Sequence, residues 1–428
     1  MSGSSSSVGG SSPLLSVQSL LRSSRSSLLR ASRSVLGDGR QRTRISTAPI
    51  FAAALLPMEP RPLTGRQRPW FEGWFFRFTD HATGASAAII FGSLRGRLHE
   101  RERQKPRPAF DEHLLVLGYR DGRGVDVSRS VLLDGDAVTL GKGGGPSARV
   151  SWWSARHGGV RLSAAGTELD VRFADGMRLA ANISSARVPW NCERPDRDGP
   201  EGWLSRTGLL PCHYFVHSFS SPSAYAVWDG EARRARHIGG DALAHVERNY
   251  GASFPSGWVW AQASAAAGRA SFVLTGGRFV IGPLTMESFV VGLRVPTPPG
   301  TPASHARLSW DFRTTDLDRV DDVRHPCEGT LFVNATSRDG RRRLELLLAA
   351  PRASFGPPIM VPTHAGGFSD RPGCRESYAA LAHVWAWSTE RGGRRPERQM
   401  AAADQLRIDI PLAVLEFGGD RQCLTLTA

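Results

Sequence analysis

Lysine is almost missing from this chain. Lys105 and Lys142 are the only two in 428 residues, so the 54 basic residues are nearly all arginine. The formal net charge of +14 raises the question of a nucleic-acid partner. Zinc-finger spacing, a compact basic helix and an RNA-recognition motif are all lacking, and no nucleic-acid partner is expected. Cysteine is scarce as well. Cys192, Cys212, Cys327, Cys374 and Cys423 make an odd count with no CxxC pair, so neither a structural zinc site nor a disulfide framework is expected, and a reducing compartment suits this usage. No run approaches the roughly 18 apolar residues that span a bilayer. The segment Pro49–Met58 is too short, so any membrane contact is expected to be peripheral. GxSxG, Walker, HExxH and Rossmann signatures are absent, and the glycine-rich run Gly141–Pro146 has the shape of a turn. No fixed short repeat is present, which disfavours a propeller.

What is there begins with an N-terminus rich in serine and arginine. Over residues 1–48, Arg22, Arg25, Arg30, Arg33, Arg40, Arg42 and Arg44 face only Asp38. Such composition reads as an organelle transit peptide, disordered and outside the fold. From residue 69 onward the pattern is β. Short stretches such as 86–94, 112–120, 125–133, 168–174 and 177–184 are rich in Val, Ile, Leu and aromatics, with Gly, Asp and Asn at the turns between them. Close spacing of this kind predicts an antiparallel sandwich or barrel rather than βαβ units. Asp121-Gly122 and Asp339-Gly340 mark tight turns. The polar stretch Asn191–Gly208 reads as a linker or crossover, so the division predicts two barrel domains, 69–195 and 209–428. An antiparallel barrel of about eight strands closes its edges and can enclose one small ligand.

Chemistry concentrates where carboxylates sit among aromatics. In "HVERNYGASFPSGWVWAQ", Trp258 and Trp260 share one face of a strand and Gln262 continues the row. Glu247 precedes Asn249 and Tyr250 on the other side of the turn. Across such a hairpin a carboxylate faces an indole wall, and burial there raises its pKa. In "RPWFEGWFFRF", Glu72 sits among Trp70, Phe71, Trp74, Phe75 and Phe76. Two blander readings stand beside these: tryptophans as core packing, and Glu247 neutralised by Arg248. His213 and His217, four apart on a strand, lie on one face. No third ligand is spaced near them, and no metal is expected.

Five segments in order resemble the tocopherol cyclase family. "FEGWFF" (Phe71–Phe76) is similar to its FEGWYF motif. "GWLSRTGLLPCHYFVHS", "YAVWDGE" and "HVERNYGASFPSGWVWAQ" follow, and the segment from "LLLAAP" to "VWAW" closes the series near Trp387. Phe75 stands where the family usually has Tyr, and Tyr250 where it usually has Trp. The resemblance implies an all-β fold of two antiparallel, lipocalin-like (calycin) β-barrels. It also implies a chloroplast enzyme that closes the chromanol ring of tocopherols from phytyl-benzoquinols with no redox cofactor. The expected place is a plastoglobule or thylakoid surface. On that footing Glu247 is the expected acid and Glu72 its rival. Trp74, Trp258 and Trp260 would face a cation, with Tyr250 beside them. His213, Asn249 or Gln262 would orient or deprotonate the quinol hydroxyl. A non-catalytic isoprenoid-lipid carrier and a hydratase of prenyl or carotenoid double bonds are the alternatives.

Overall fold

The computed structural model describes residues 70–96, 111–142, 150–163, 165–191, 199–206, 210–230, 236–281, 284–296, 308–363, 367–388 and 405–423. The expected transit peptide at 1–48 lies outside them. The described chain is all-β, in two antiparallel, barrel-like sheets, one a half-barrel and the other nearly closed. No helix in it is long and apolar enough to cross a membrane.

The first sheet contains β1 (Trp70–Asp80), β2 (Ala85–Arg95), β3 (Glu112–Arg120), β4 (Asp126–Asp134), β5 (Thr139–Lys142) and β6 (Val150–Ser154). It continues with β7 (Gly158–Ser163), β8 (Gly166–Arg172), β9 (Arg178–Ser184), β10 (Cys212–Asp229) and β11 (Arg236–Gly251). Its spatial order is β4-β3-β2-β1-β11-β10-β9-β8-β7-β6-β5. The second sheet contains β12 (Gly257–Ser264), β13 (Ser271–Ile281), β14 (Leu284–Val295), β15 (Leu308–Arg313) and β16 (Arg319–His325). Then come β17 (Thr330–Thr336), β18 (Arg342–Ala349), β19 (Ile359–Pro362), β20 (Phe368–Ser388) and β21 (Gln405–Gly419). Its order is β15-β14-β13-β12-β21-β20-β18-β17-β16, with β19 paired to β20. The two edge strands, β15 and β16, approach each other through the short turn at 314–318.

The sheet break falls between Gly251 and Gly257, not at 195–208. β10 and β11 belong to the first sheet, where β11 pairs with β1 at the centre. Composition marks the linker stretch correctly as irregular, but pairing decides which sheet a strand joins. The segment 212–229 is one strand with register shifts between Val216 and Ser221. The connection "ASFPS" is not a hairpin: β11 and β12 lie in different sheets.

β1 is buried almost throughout because it serves two cores. Trp74, Phe76 and Phe78 pack with Phe91 and Trp152 inside the first sheet. Successive strand residues point to opposite faces, so Phe75 turns toward the second sheet and packs with Leu114, Trp258, Trp260 and Val414. The second sheet's own core gathers Phe272, Phe312, Leu331, Leu346 and Phe417. Arg77 crosses the boundary. It is fully buried, donates to Gln262 Oε1 at 2.5 Å and reaches the Leu412 carbonyl. Leu412 has φ +59°, a left-handed bend that turns its carbonyl out of the β21 ladder.

One expectation is overturned outright. Cys327 and Cys423 form a disulfide with Cα atoms 4.9 Å apart, joining the turn after β16 to the segment after β21. The spacing of 96 residues has no sequence signature, because the two cysteines meet only through the curl of the sheet. A loop of that length implies a chain-entropy contribution of about 4–5 kcal/mol. Reduction, or paired Cys327→Ser and Cys423→Ser substitution, is therefore expected to lower the melting temperature. Calorimetry with and without reductant checks this, and an unchanged melt would remove the bond from the account of stability.

Candidate active site

Between the two sheets lies a cavity of about 180 Å³. Cross-strand register builds its walls. On the second sheet, Glu376 of β20 lies opposite Glu416 of β21, and Glu416 opposite Trp260 of β12. Two residues along, Cys374, Gly418 and Trp258 form a parallel row. On the first sheet, Glu247 of β11 lies opposite Phe75, and Asn249 opposite Gly73 and Tyr214. Trp260 bridges the sheets, with its ring 5.0 Å from that of Phe75 in edge-to-face packing.

Two glutamates directly opposite on neighbouring strands repel if both are charged. Both are buried, and burial pushes both carboxyls up, that of Glu416 well above its ordinary range. Two such carboxyls retain a shared proton. Their surroundings differ. Tyr378 donates its O–H to Glu376, and the positive Arg77 favours ionisation of the same group. Glu416 receives the Trp258 indole N–H and lies against Cys374 and Glu376. The proton therefore resides mainly on Glu416. Burial lowers Arg77 only to about 9, so it stays cationic at neutral pH beneath this pair.

Cys374, Glu376 and Glu416 bring possible ligand atoms within 4.8 Å of one another, the reach of a single metal ion. The Trp258 N–H and the Tyr378 O–H already engage oxygens of these two carboxyls.

Glu247 has a different character. Its Oε2 accepts the Tyr214 hydroxyl at 2.5 Å and the Trp260 N–H at 3.2 Å, and His245 Nε2 lies 2.8 Å away. Three groups converging on one oxygen suit an acceptor, and so a base, better than a proton donor. Arg248 does not neutralise it, because side chains alternate along β11 and Arg248 faces the other way.

That opposite face holds the second half of the sequence-derived candidates. Arg248 Nε lies 2.8 Å from Glu72 Oε1, and the Trp74 N–H donates to the same oxygen at 3.1 Å. Burial raises the Glu72 carboxyl, and the Arg248 charge opposes that rise. Tyr250 stacks on His213 with centroids 5.0 Å apart and lies under the Arg248 guanidinium. His213 Nδ1 is 2.8 Å from Glu201 Oε2. His217 stacks on Trp74 at 4.8 Å, so the two histidines are engaged separately rather than as a metal pair. Glu72 and Trp74 belong to the cavity wall, whereas His213 and Tyr250 do not. Gln262 sits behind the cavity, gripping Arg77 and donating to Ser264 Oγ at 3.0 Å.

Thus Glu247, Asn249, Trp258 and Trp260 come together, and Gln262 supports them from below. Sequence reasoning missed Glu376, Glu416, Tyr378, Arg77, Tyr214 and Glu201. The one available signal was a lone Glu in each of two otherwise apolar strands, "RESYAALAHVWAW" and "PLAVLEFGG", the same pattern that singled out Glu72.

Gly418 makes the indole contact possible, because a Cβ there would fall 2.0 Å from Trp258 Cε2. Gly418→Ala is expected to displace the ring and cost about 1–3 kcal/mol, seen as a lower melting temperature and altered near-ultraviolet circular dichroism. The carboxyl pair gives a pH prediction. The unfolded chain releases these protons near pH 4.5, while the folded protein keeps one, so stability declines as pH rises from there toward the raised folded value. The slope is about 1.4 kcal/mol per pH unit for each retained proton. Glu416→Gln is expected to flatten that decline, measured as melting temperature against pH.

No known protein family matches the sequence, and no curated protein matches it significantly. Among solved structures, CghA is similar with a TM-score of 0.49 and 11% identity over 88% of this chain and 96% of that one. Kievitone hydratase from Nectria haematococca has a TM-score of 0.44 and 8% identity over 89% and 96%. A protein described as AttH from Nitrosomonas europaea has a TM-score of 0.40 and 11% identity over 86% and 99%. Likeness at this level says nothing of reaction or substrate.

Proposed function

We propose that this protein is an enzyme that cyclises a prenylated hydroquinone by protonating its alkene, as the resemblance to tocopherol cyclases implies. The observation that carries this reading is the proton-retaining Glu376–Glu416 pair set against the Trp258 and Trp260 indoles inside a closed interface. A carboxylic acid kept neutral beside aromatic faces suits delivery of a proton to carbon, because the π faces stabilise the cation that forms.

In the proposed reaction the Glu416 carboxyl gives its proton to the less substituted alkene carbon, leaving a tertiary cation. A lone pair of the neighbouring phenol oxygen forms the new C–O bond, and the phenolic proton passes to Glu247. Substrate and product are isomers, and one proton is gained and one lost. Glu416 is left ionised beside the ionised Glu376, with Arg77 to offset the charge, and the pair regains a proton from solvent as Glu247 releases the one it took, which restores the enzyme. The cavity holds the chain folded so that ring closure is effectively unimolecular, and it excludes water that would capture the cation as an alcohol. On this reading the Ser- and Arg-rich segment 1–48 is a chloroplast import signal, and the lipid substrate is reached at a plastoglobule or thylakoid surface.

The test is incubation of the full chain with 2,3-dimethyl-6-phytyl-benzoquinol in micelles prepared in deuterated water, followed by mass spectrometry. The expected product is an isomeric chromanol carrying one deuterium on the ring-forming chain. An alcohol heavier by one water identifies a hydratase, and bound, unchanged quinol identifies a carrier. Glu416→Gln is expected to lower the rate at least about 100-fold. Glu72→Gln, which breaks the ion pair with Arg248, is expected to act mainly on stability. Activity should fall as pH rises and the raised Glu416 carboxyl ionises.

A further inference from the structure

A second, smaller cavity of about 60 Å³ also ends on the acid pair. Of the described residues around that pair, Glu376 lines both cavities, Glu416 only the larger and Tyr378 only the smaller. The small cavity is graded in exposure. Glu376 and Tyr378 at its inner end are buried, Ser128 is half-buried, and Asp126 and Pro357 at its outer end are exposed. The sheet edge explains the opening. β4 is the outermost strand of the first sheet, and its Ser128 stands opposite Gly118 of β3. A Cβ on Gly118 would fall 2.6 Å from the Tyr378 hydroxyl oxygen. The hydroxyl therefore lies over Gly118, one strand in from the edge, with Ser128 beside it.

A space of this size has room for more than one water, and Asp126, Ser128 and Tyr378 offer the polar partners that ordered water needs. The hydrogen bonds beyond it run toward the pair. Tyr378 donates its O–H to Glu376 Oε2, and a phenol oxygen that donates can still accept from water. Glu376 and Glu416 are hydrogen-bonded to each other. Water, phenol and two carboxyls thus form one chain, from the sheet edge to the group that faces the central cavity.

We infer that the small cavity is the proton inlet of the acid pair and that Tyr378 relays protons from its water to Glu376. This rests on the cyclisation reading, in which each turnover leaves the pair one proton short. In the relay the Tyr378 O–H bond breaks and its proton joins Glu376, while a water proton forms a new O–H bond on the phenol oxygen. That water recovers a proton from its outward neighbour, and the last from bulk solvent. The net change is one proton moved from solvent to the pair. Burial pushes the Tyr378 phenol well above its ordinary range, so no phenolate persists and the two transfers occur together. A separate inlet has a physical reason. Water in the central cavity would capture the cation, so the proton returns by a path the substrate does not share.

The experiment is rapid-mixing infrared spectroscopy of the full chain, without substrate, transferred from water into deuterated water. The C=O band of a protonated carboxyl shifts when deuterium replaces its proton, and loss of the band in Glu416→Gln assigns it to the pair. Tyr378→Phe is expected to keep the band and slow its shift at least about tenfold, which a purely packing role would not do. Ser128→Cys is expected to exchange at the normal rate until benzyl methanethiosulfonate fills the cavity beside it, and then to slow by a similar factor. Because that block is added after folding, it reads the inlet even if Tyr378→Phe fails to fold. Ser130→Cys, two residues along β4 and exposed outside the cavity, and the unsubstituted chain receive the same reagent and are expected to keep their rates. An unchanged rate in Tyr378→Phe or in blocked Ser128→Cys, or equal slowing in treated Ser130→Cys, overturns the inlet and leaves the acid pair standing. Absence of any band that Glu416→Gln removes overturns the pair itself, and the cyclisation reading with it.

Discussion

The Glu376–Glu416 pair is the constraint around which the centre of this protein is arranged. Antiparallel pairing of β20 with β21 places the two carboxyls opposite each other, and the first sheet covers them. Neither charge has water to stabilise it there, so the pair keeps a proton. The neighbouring groups follow from this. The Trp258 and Tyr378 donors engage the carboxyl oxygens, Gly418 makes room for the indole, and Arg77 supplies the compensating positive charge from the opposite sheet.

Arg77 also explains why the two sheets hold one relative position at the cavity. A guanidinium with no exposure is tolerable only when its donors are met, and Gln262 and the Leu412 carbonyl meet two of them. Both partners belong to the second sheet. Sliding one sheet past the other would leave a buried charge without partners, a costly state compared with the loss of apolar contacts. The bend at Leu412 has its physical reason in the same contact, because an unbent strand would keep that carbonyl in its ladder.

Charge assignment separates the candidate acids. Glu72 and Glu247 both looked like isolated carboxylates among aromatics. Glu72 shares its face of the first sheet with Arg248, and the two form an ion pair. Glu247 shares the other face with Phe75 and Gly73, and it meets donors from Tyr214 and Trp260 instead of a cation. Side-chain alternation across the paired strands therefore decides whether a carboxyl meets an arginine or the donors of Tyr214 and Trp260.

Much of the fold was legible in the residues themselves. Close turn spacing and β-branched or aromatic runs gave the all-β class and most strand bounds, since local propensity and solvent exposure act over a few residues. The tryptophans of β12 and the glutamate of β11 were visible as site candidates because their neighbours in sequence are apolar. Glu376 and Glu416 escaped notice because each is one glutamate in its own strand, and nothing local says that two strands will place them side by side. The same holds for the sheet break after Gly251 and for the Cys327–Cys423 bond. Sequence alone determined the all-β class, most of the strands and a first set of chemistry-bearing residues, Glu247, Trp258 and Trp260 among them. Only the tertiary structure decided which carboxyls share a proton, which one meets an arginine and which cysteines join. Those outcomes depend on register and burial between segments far apart in the chain, where pairing rather than composition sets the distance.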